Sequence, residues 1–114
     1  MKPTLEFHEP HGEWRSTGIE GQSEQILAAD EESGVHTRFL RFEPGCDTAV
    51  AGTIDHDFWE EIYIIAGEIV DTRLDQSFGT GYYACRPPGM AHGPWRSDGG
   101  ALLFEVRYRG VGQD

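Results

Sequence analysis

Between Ile54 and Gly67 the chain places one histidine, His56, and four acids, Asp55, Asp57, Glu60 and Glu61. Imidazoles and carboxylates exchange protons and ligate divalent metals, so this is where chemistry is to be sought. After Glu61 the sequence turns β-branched and aromatic and reads as a buried strand. A carboxylate at the mouth of such a strand costs free energy unless it is paired or holds a metal. The best partner lies well downstream, at His92, which closes the stretch GYYACRPPGMAH that begins at Gly81.

The surrounding elements must bring these residues together. Thr48 to Ile54 is expected to be the strand that delivers His56. Ala66-Gly67-Glu68 reads as a tight turn, with Ile69 to Leu74 as the returning strand. Asp75 to Thr80 reads as a polar connection, and Tyr82 to Arg86 as a strand ended by Pro87-Pro88-Gly89. Upstream, residues 1–13 form an extended arm with a short strand at Thr4 to Phe7. His8 and His11 on that arm read as exposed rather than metal-binding. Short strands follow at Trp14 to Gly18 and Ser23 to Asp30. Val35 to Phe42 alternates, with His36, Arg38, Leu40 and Phe42 on one face. Ala101 to Tyr108 is the last strand, and its apolar face of Leu102, Phe104 and Val106 is expected to pack on Ile62 and Ile64. Residues 110–114 are a tail.

Eight to ten short strands separated by turn signals predict an all-β sandwich or barrel. The chain has 114 residues, with 15 glycines and six prolines supplying the turns, so one domain is expected. With 20 acids against nine basic residues, the formal net charge is −11. A phosphate backbone or anionic membrane surface would repel such a chain, which argues against nucleic acid and membrane as partners. No apolar run reaches membrane-spanning length, and Met1-Lys2-Pro3 leads into no signal sequence. The expected location is the cytoplasm. Cys46 and Cys85 follow no zinc or redox spacing and read as reduced thiols.

Two patterns in the chain resemble the motifs of the cupin family. The first is His56, Glu60 four residues later, and Gly67 seven residues after that. The second is Gly81-x5-Pro87-x-Gly89-x2-His92. The first motif is matched in part: its usual opening glycine is Thr48, and a further histidine usual two residues before His56 is Ile54. The second fits up to its histidine, and its closing polar position is Arg96. The stretch from Glu60 to Asp71, taken with the second motif, is most similar to small cupins related to anti-sigma-factor zinc domains and to diketone-cleaving dioxygenases. The resemblance implies a jelly-roll β-barrel (a double-stranded β-helix) over about 14–108, often dimeric, with a metal held inside by both motifs. His56, Glu60 and His92 are the implied ligands. Residues 54 and 56 share a face of an extended chain, so Ile54 is expected beside the site as an apolar wall.

Two imidazoles and one carboxylate suit iron(II) or a catalytic zinc, and equally nickel, manganese or copper. The leading reading is a homodimeric, metal-dependent enzyme acting on a small organic molecule, of dioxygenase, hydrolase or isomerase type. The alternatives are a non-catalytic ligand-binding or sensing module and a metal-free barrel. A helical partner-binding segment, usual beside sensor cupins, has no room here. Tyr83 with Cys85, or Tyr82 with Ala84 and Arg86, could line the cavity. Arg38 and Arg107 lie within apolar strands and read as outward and solvated, the alternative being an inward pair with an acid or an anionic substrate.

Overall fold

A computed structural model describes residues 1–110. Its strands are β1 (Arg15–Ser16), β2 (Gln22–Asp30), β3 (Val35–Phe42), β4 (Cys46–Asp47), β5 (Trp59–Asp71), β6 (Gln76–Gly79), β7 (Tyr83–Arg86), β8 (Trp95–Ser97) and β9 (Ala101–Tyr108). Among the described residues a single 3₁₀ turn, Ala49–Ala51, interrupts them. Among the described residues no helix is long and apolar enough to cross a membrane. The strands run β1-β2-β3-β9-β5-β8-β4, all pairs antiparallel, with β6 and β7 also on β5. The result is an all-β jelly-roll barrel, as the turn spacing and the resemblance predict.

β5 is the spine. Its first part lies between β9 and β7, with Ile62 opposite Glu105 and Ile64 opposite Leu103. Its last part pairs instead with β6 and β8. The tight turn expected at Ala66-Gly67-Glu68 is therefore absent, because the strand passes straight through. A bulge between Ile64 and Ala66 bends it from one sheet to the other. Gly67 makes the bend possible: its φ is +86°, and a Cβ there would collide with the Gly100 carbonyl oxygen. A residue that reads as turn punctuation is here a point of close backbone approach.

Other expectations are corrected. Thr4 to Phe7 forms no strand, and the arm is exposed. Thr48 to Ile54 is not a strand. Thr48 is buried against β8, where its Oγ1 accepts from the Trp95 amide at 2.8 Å, and the 3₁₀ turn follows. Ile69–Asp71 completes β5 rather than returning from it, and the connection expected at Asp75 to Thr80 contains β6. β4 and β8, at two and three residues, are too short to leave a period in sequence. Of the expected tail, residues 111–114 lie outside the described residues.

The core lies on the other face of β9 from the one expected. Leu103 is 5% exposed and Glu105 1%, whereas Leu102, Phe104 and Val106 are half-buried on the outside. Leu40, Phe42, Ile62, Ile64 and Ile69 complete the apolar interior. The outer face is apolar because it carries cross-strand aromatic pairs. Phe104 meets Phe39 edge-on at 6.0 Å, and Trp59 stacks on Tyr108 at 6.2 Å.

Candidate metal centre

Three local features aim the site residues. Glu60 is the second residue of β5, and alternation turns it inward with Ile62 and Ile64 while Glu61 faces out to the Tyr83 hydroxyl. His56 lies on the loop before β5, and His92 on the loop after β7. These loops are tied by a two-residue bridge in which Ile54 and His92 exchange both backbone hydrogen bonds at 2.8 Å. A third bond joins the Gly89 amide to the His56 carbonyl, also at 2.8 Å. Pro87-Pro88-Gly89-Met90 is a turn closed by Met90 N–H to the Pro87 carbonyl at 3.2 Å, with Gly89 at φ +83°. That geometry is a type II turn, which takes proline at its second position and glycine at its third. The spacing of the second motif thus has a mechanical meaning: it folds the chain so that His92 falls beside His56.

The three residues converge. One ligand atom from each of His56, Glu60 and His92 lies within 4.8 Å of the other two. His56 Nε2 is 3.5 Å from Glu60 Oε2, and the two imidazole centroids are 4.9 Å apart. Donors around one tetrahedral ion sit roughly 3.4 Å apart, so binding requires only a small closure. His92 carries the clearest fit. Its Nδ1 lies 3.0 Å from the Met90 carbonyl, which fixes the proton on that nitrogen. Its Nε2 is buried and has no hydrogen-bond partner among the described residues. An imidazole held through one nitrogen, with the other bare and facing two further donors, is the arrangement of a metal-ligating histidine.

The electrostatics agree with that geometry. Burial, then the charges of Arg107 and His92, lowers His56 to about 4, and burial also lowers His92. Both imidazoles are therefore neutral near pH 7, the form that ligates. Burial and the nearby Glu105 carboxylate push Glu60 up to about 7, against the pull of Arg86 and Arg107. Arg86 Nη1 donates a long hydrogen bond to Glu60 Oε1 at 3.4 Å, whereas Arg107 Nη2 stands off at 3.9 Å.

The site opens into a cavity of about 330 Å³. Ile54 lines it, as alternation predicts, and so do Tyr82, Tyr83, Ala84 and Arg86, whereas Cys85 is exposed outside. Arg38 and Arg107 also line it, so the outward reading of both is corrected. Glu105 draws Arg38 inward: Arg38 Nε and Nη2 donate to its two oxygens at 2.9 and 3.1 Å. Sequence reading did not single out Glu105, because the apolar alternate residues of β9 drew the core to the wrong face. Trp95 stacks on His92 at 5.3 Å, and Phe58 on His56 at 4.6 Å, so both aromatics wall the site.

The comparisons with known proteins fit this picture. The description of the ChrR cupin-like domain family matches residues 7–109. Among solved structures, an RmlC-like cupin from Shewanella frigidimarina NCIMB 400 superposes with a TM-score of 0.74 at 18% identity, covering 97% of this chain and 96% of that one. An acetylacetone dioxygenase from Acinetobacter johnsonii gives 0.70 at 14% identity, covering 95% and 76%. The Rhodobacter sphaeroides complex of SigE with the anti-sigma ChrR gives 0.65 at 20% identity, covering 85% and 49%. At these identities the likeness is one of fold. No curated protein matches the sequence significantly.

Proposed function

This chain belongs to the ChrR cupin-like domain family, and on that footing we propose that it is a metal-dependent enzyme acting on a small organic molecule, with His56, Glu60 and His92 holding one divalent ion. The observation that carries the reading is His92 Nε2, buried, without a hydrogen-bond partner among the described residues, in a cluster with His56 and Glu60. The neighbouring fold of an acetylacetone dioxygenase supports oxygenolytic chemistry, with hydrolysis and isomerisation as the other reactions such a site suits.

When bound, the ion would polarise a substrate oxygen or activate water or dioxygen. The chain's own residues set the stage. The Met90 carbonyl holds the His92 tautomer, and the bridge to Ile54 holds its backbone. Phe58 and Trp95 restrict water around the two imidazoles. Ile54 leaves an apolar wall where a fourth protein ligand would stand, which leaves coordination positions for substrate.

We further read residues 1–114 as one cytoplasmic domain acting as a homodimer. The free thiols of Cys46 and Cys85 support the location. Dimerisation is supported by the arm, where Leu5 and Phe7 are 52% and 106% exposed, and by β2, which beyond Glu24 has a strand partner on one side only among the described residues. The family match also favours a second reading, a sensing module without turnover. Metal analysis of the purified protein followed by dioxygen uptake with diketones and hydroxylated acids tests the proposal. About one metal per chain with uptake supports the enzyme. Metal without turnover on any substrate favours the sensor, and absence of metal refutes both.

A further inference from the structure

The cavity wall beside the three ligands carries more positive charge than its carboxylates use. Arg38 is fully committed: it grips Glu105 with two nitrogens and reaches Glu24 Oε2 with Nη1 at 3.2 Å. Glu105 in turn is satisfied, since His36 Nε2 also lies 3.1 Å from its Oε1. That leaves Arg86 and Arg107 with Glu60 between them. Arg86 Nη1 is 3.4 Å from Glu60 Oε1. Arg107 Nη2 lies 3.9 Å from Glu60 and 3.8 Å from Glu105, beyond hydrogen-bond reach of either. Arg107 Nε is buried with no hydrogen-bond partner among the described residues. The guanidinium is nevertheless held in place, its carbon 4.0 Å from the Phe58 ring centroid.

A half-buried, aromatic-clamped guanidinium with unused donors on a cavity wall is built to receive an acceptor from outside the chain. With Glu60 engaged by a divalent ion, two guanidiniums would share no other free carboxylate at that end of the cavity. Further along β5 from Glu60 the lining becomes apolar, with Ile62, Ile64 and Ile69, and Phe78 on β6 beside them. We propose that Arg107, assisted by Arg86, binds the carboxylate of a small organic acid whose hydrocarbon part lies against the isoleucine wall. This assignment names the substrate class of the proposed metal site and rests on that reading. Arg107 is a specificity-determining residue in it, not a metal ligand.

The test is calorimetric binding of straight-chain monocarboxylates from propanoate to octanoate and their primary amides to zinc-loaded protein. Metal content is measured on the same samples. The wild type should bind at least one carboxylate about tenfold or more tightly than its amide, since a desolvated charge pair commonly contributes that much. Arg107→Met should erase most of that preference while leaving metal content and amide binding unchanged. If the methionine variant does not fold, Arg107→Lys keeps the charge but loses the planar fork, and should lose several-fold in carboxylate affinity. Equal binding of acids and amides, no binding of either at millimolar concentration, or a preference untouched by these substitutions overturns the assignment. Absence of zinc from the wild type refutes the metal reading instead, and acid–amide discrimination is still read on that protein.

Discussion

At the scale of single residues, the account turns on which atoms face the cavity with nothing to bond. His92→Ala removes the bare Nε2 and should cost most of the metal affinity, which for wild type is expected at about micromolar or tighter. Ile54→His is the sharper substitution. Ile54 lines the cavity and is bridged to His92, so an imidazole there should tighten binding in competition titrations against a chelating dye. Unchanged affinity would mean that residue 54 cannot reach the ion. That His56, Glu60 and His92 come together was legible in the sequence, because residue type and motif spacing are local. The arginines were not. Arg38 is held inward by Glu105, and Arg107 lies over the Phe58 ring, both partners far off in the chain, and no local pattern reports those pairings.

At the scale of elements, β9 and β5 decide the core. Leu103→Ala should cost about 2–5 kcal/mol in denaturant melts, because Leu103 is buried opposite Ile64. Phe104→Ala, on the half-buried outer face, should cost roughly half that or less. The reverse order would restore the face that the sequence suggests. The error is instructive: Leu102, Phe104 and Val106 are more apolar than Leu103, Glu105 and Arg107, yet the latter line the cavity. A functional interior reverses the usual sign of the alternation. Gly67→Ala should destabilise by about 3 kcal/mol or more, since its Cβ would collide with the Gly100 carbonyl at a positive φ. That bend was misread as a turn because glycine marks both. β3 and β9, long and regular, were legible to the residue.

At the scale of the whole molecule, the interior ion network sets acid stability. Burial pushes the Glu105 carboxyl up, but its hydrogen bond to His36 and the charge of Arg38 overcome this and hold it at about 2, below its ordinary 4.5. A carboxyl with a depressed folded pKa stabilises fully above its unfolded value, and the contribution fades as pH falls from 4.5 towards 2. Glu105→Gln should therefore flatten the loss of stability across that window. At neutral pH it should cost about 3 kcal/mol, because buried Arg38 loses the carboxylate it grips with two nitrogens and keeps only Glu24. Sedimentation at micromolar concentration should show a dimer, and a monomer would remove the role given to the exposed arm. The central claim is that two imidazoles and a buried carboxylate hold a metal. Its most direct measurement is an anomalous difference map from crystals grown with zinc and recorded above and below the zinc edge. The account predicts one peak per chain between His56, Glu60 and His92, about 2.0–2.1 Å from His92 Nε2. A map with no peak there, from protein whose crystals contain zinc elsewhere, would contradict it.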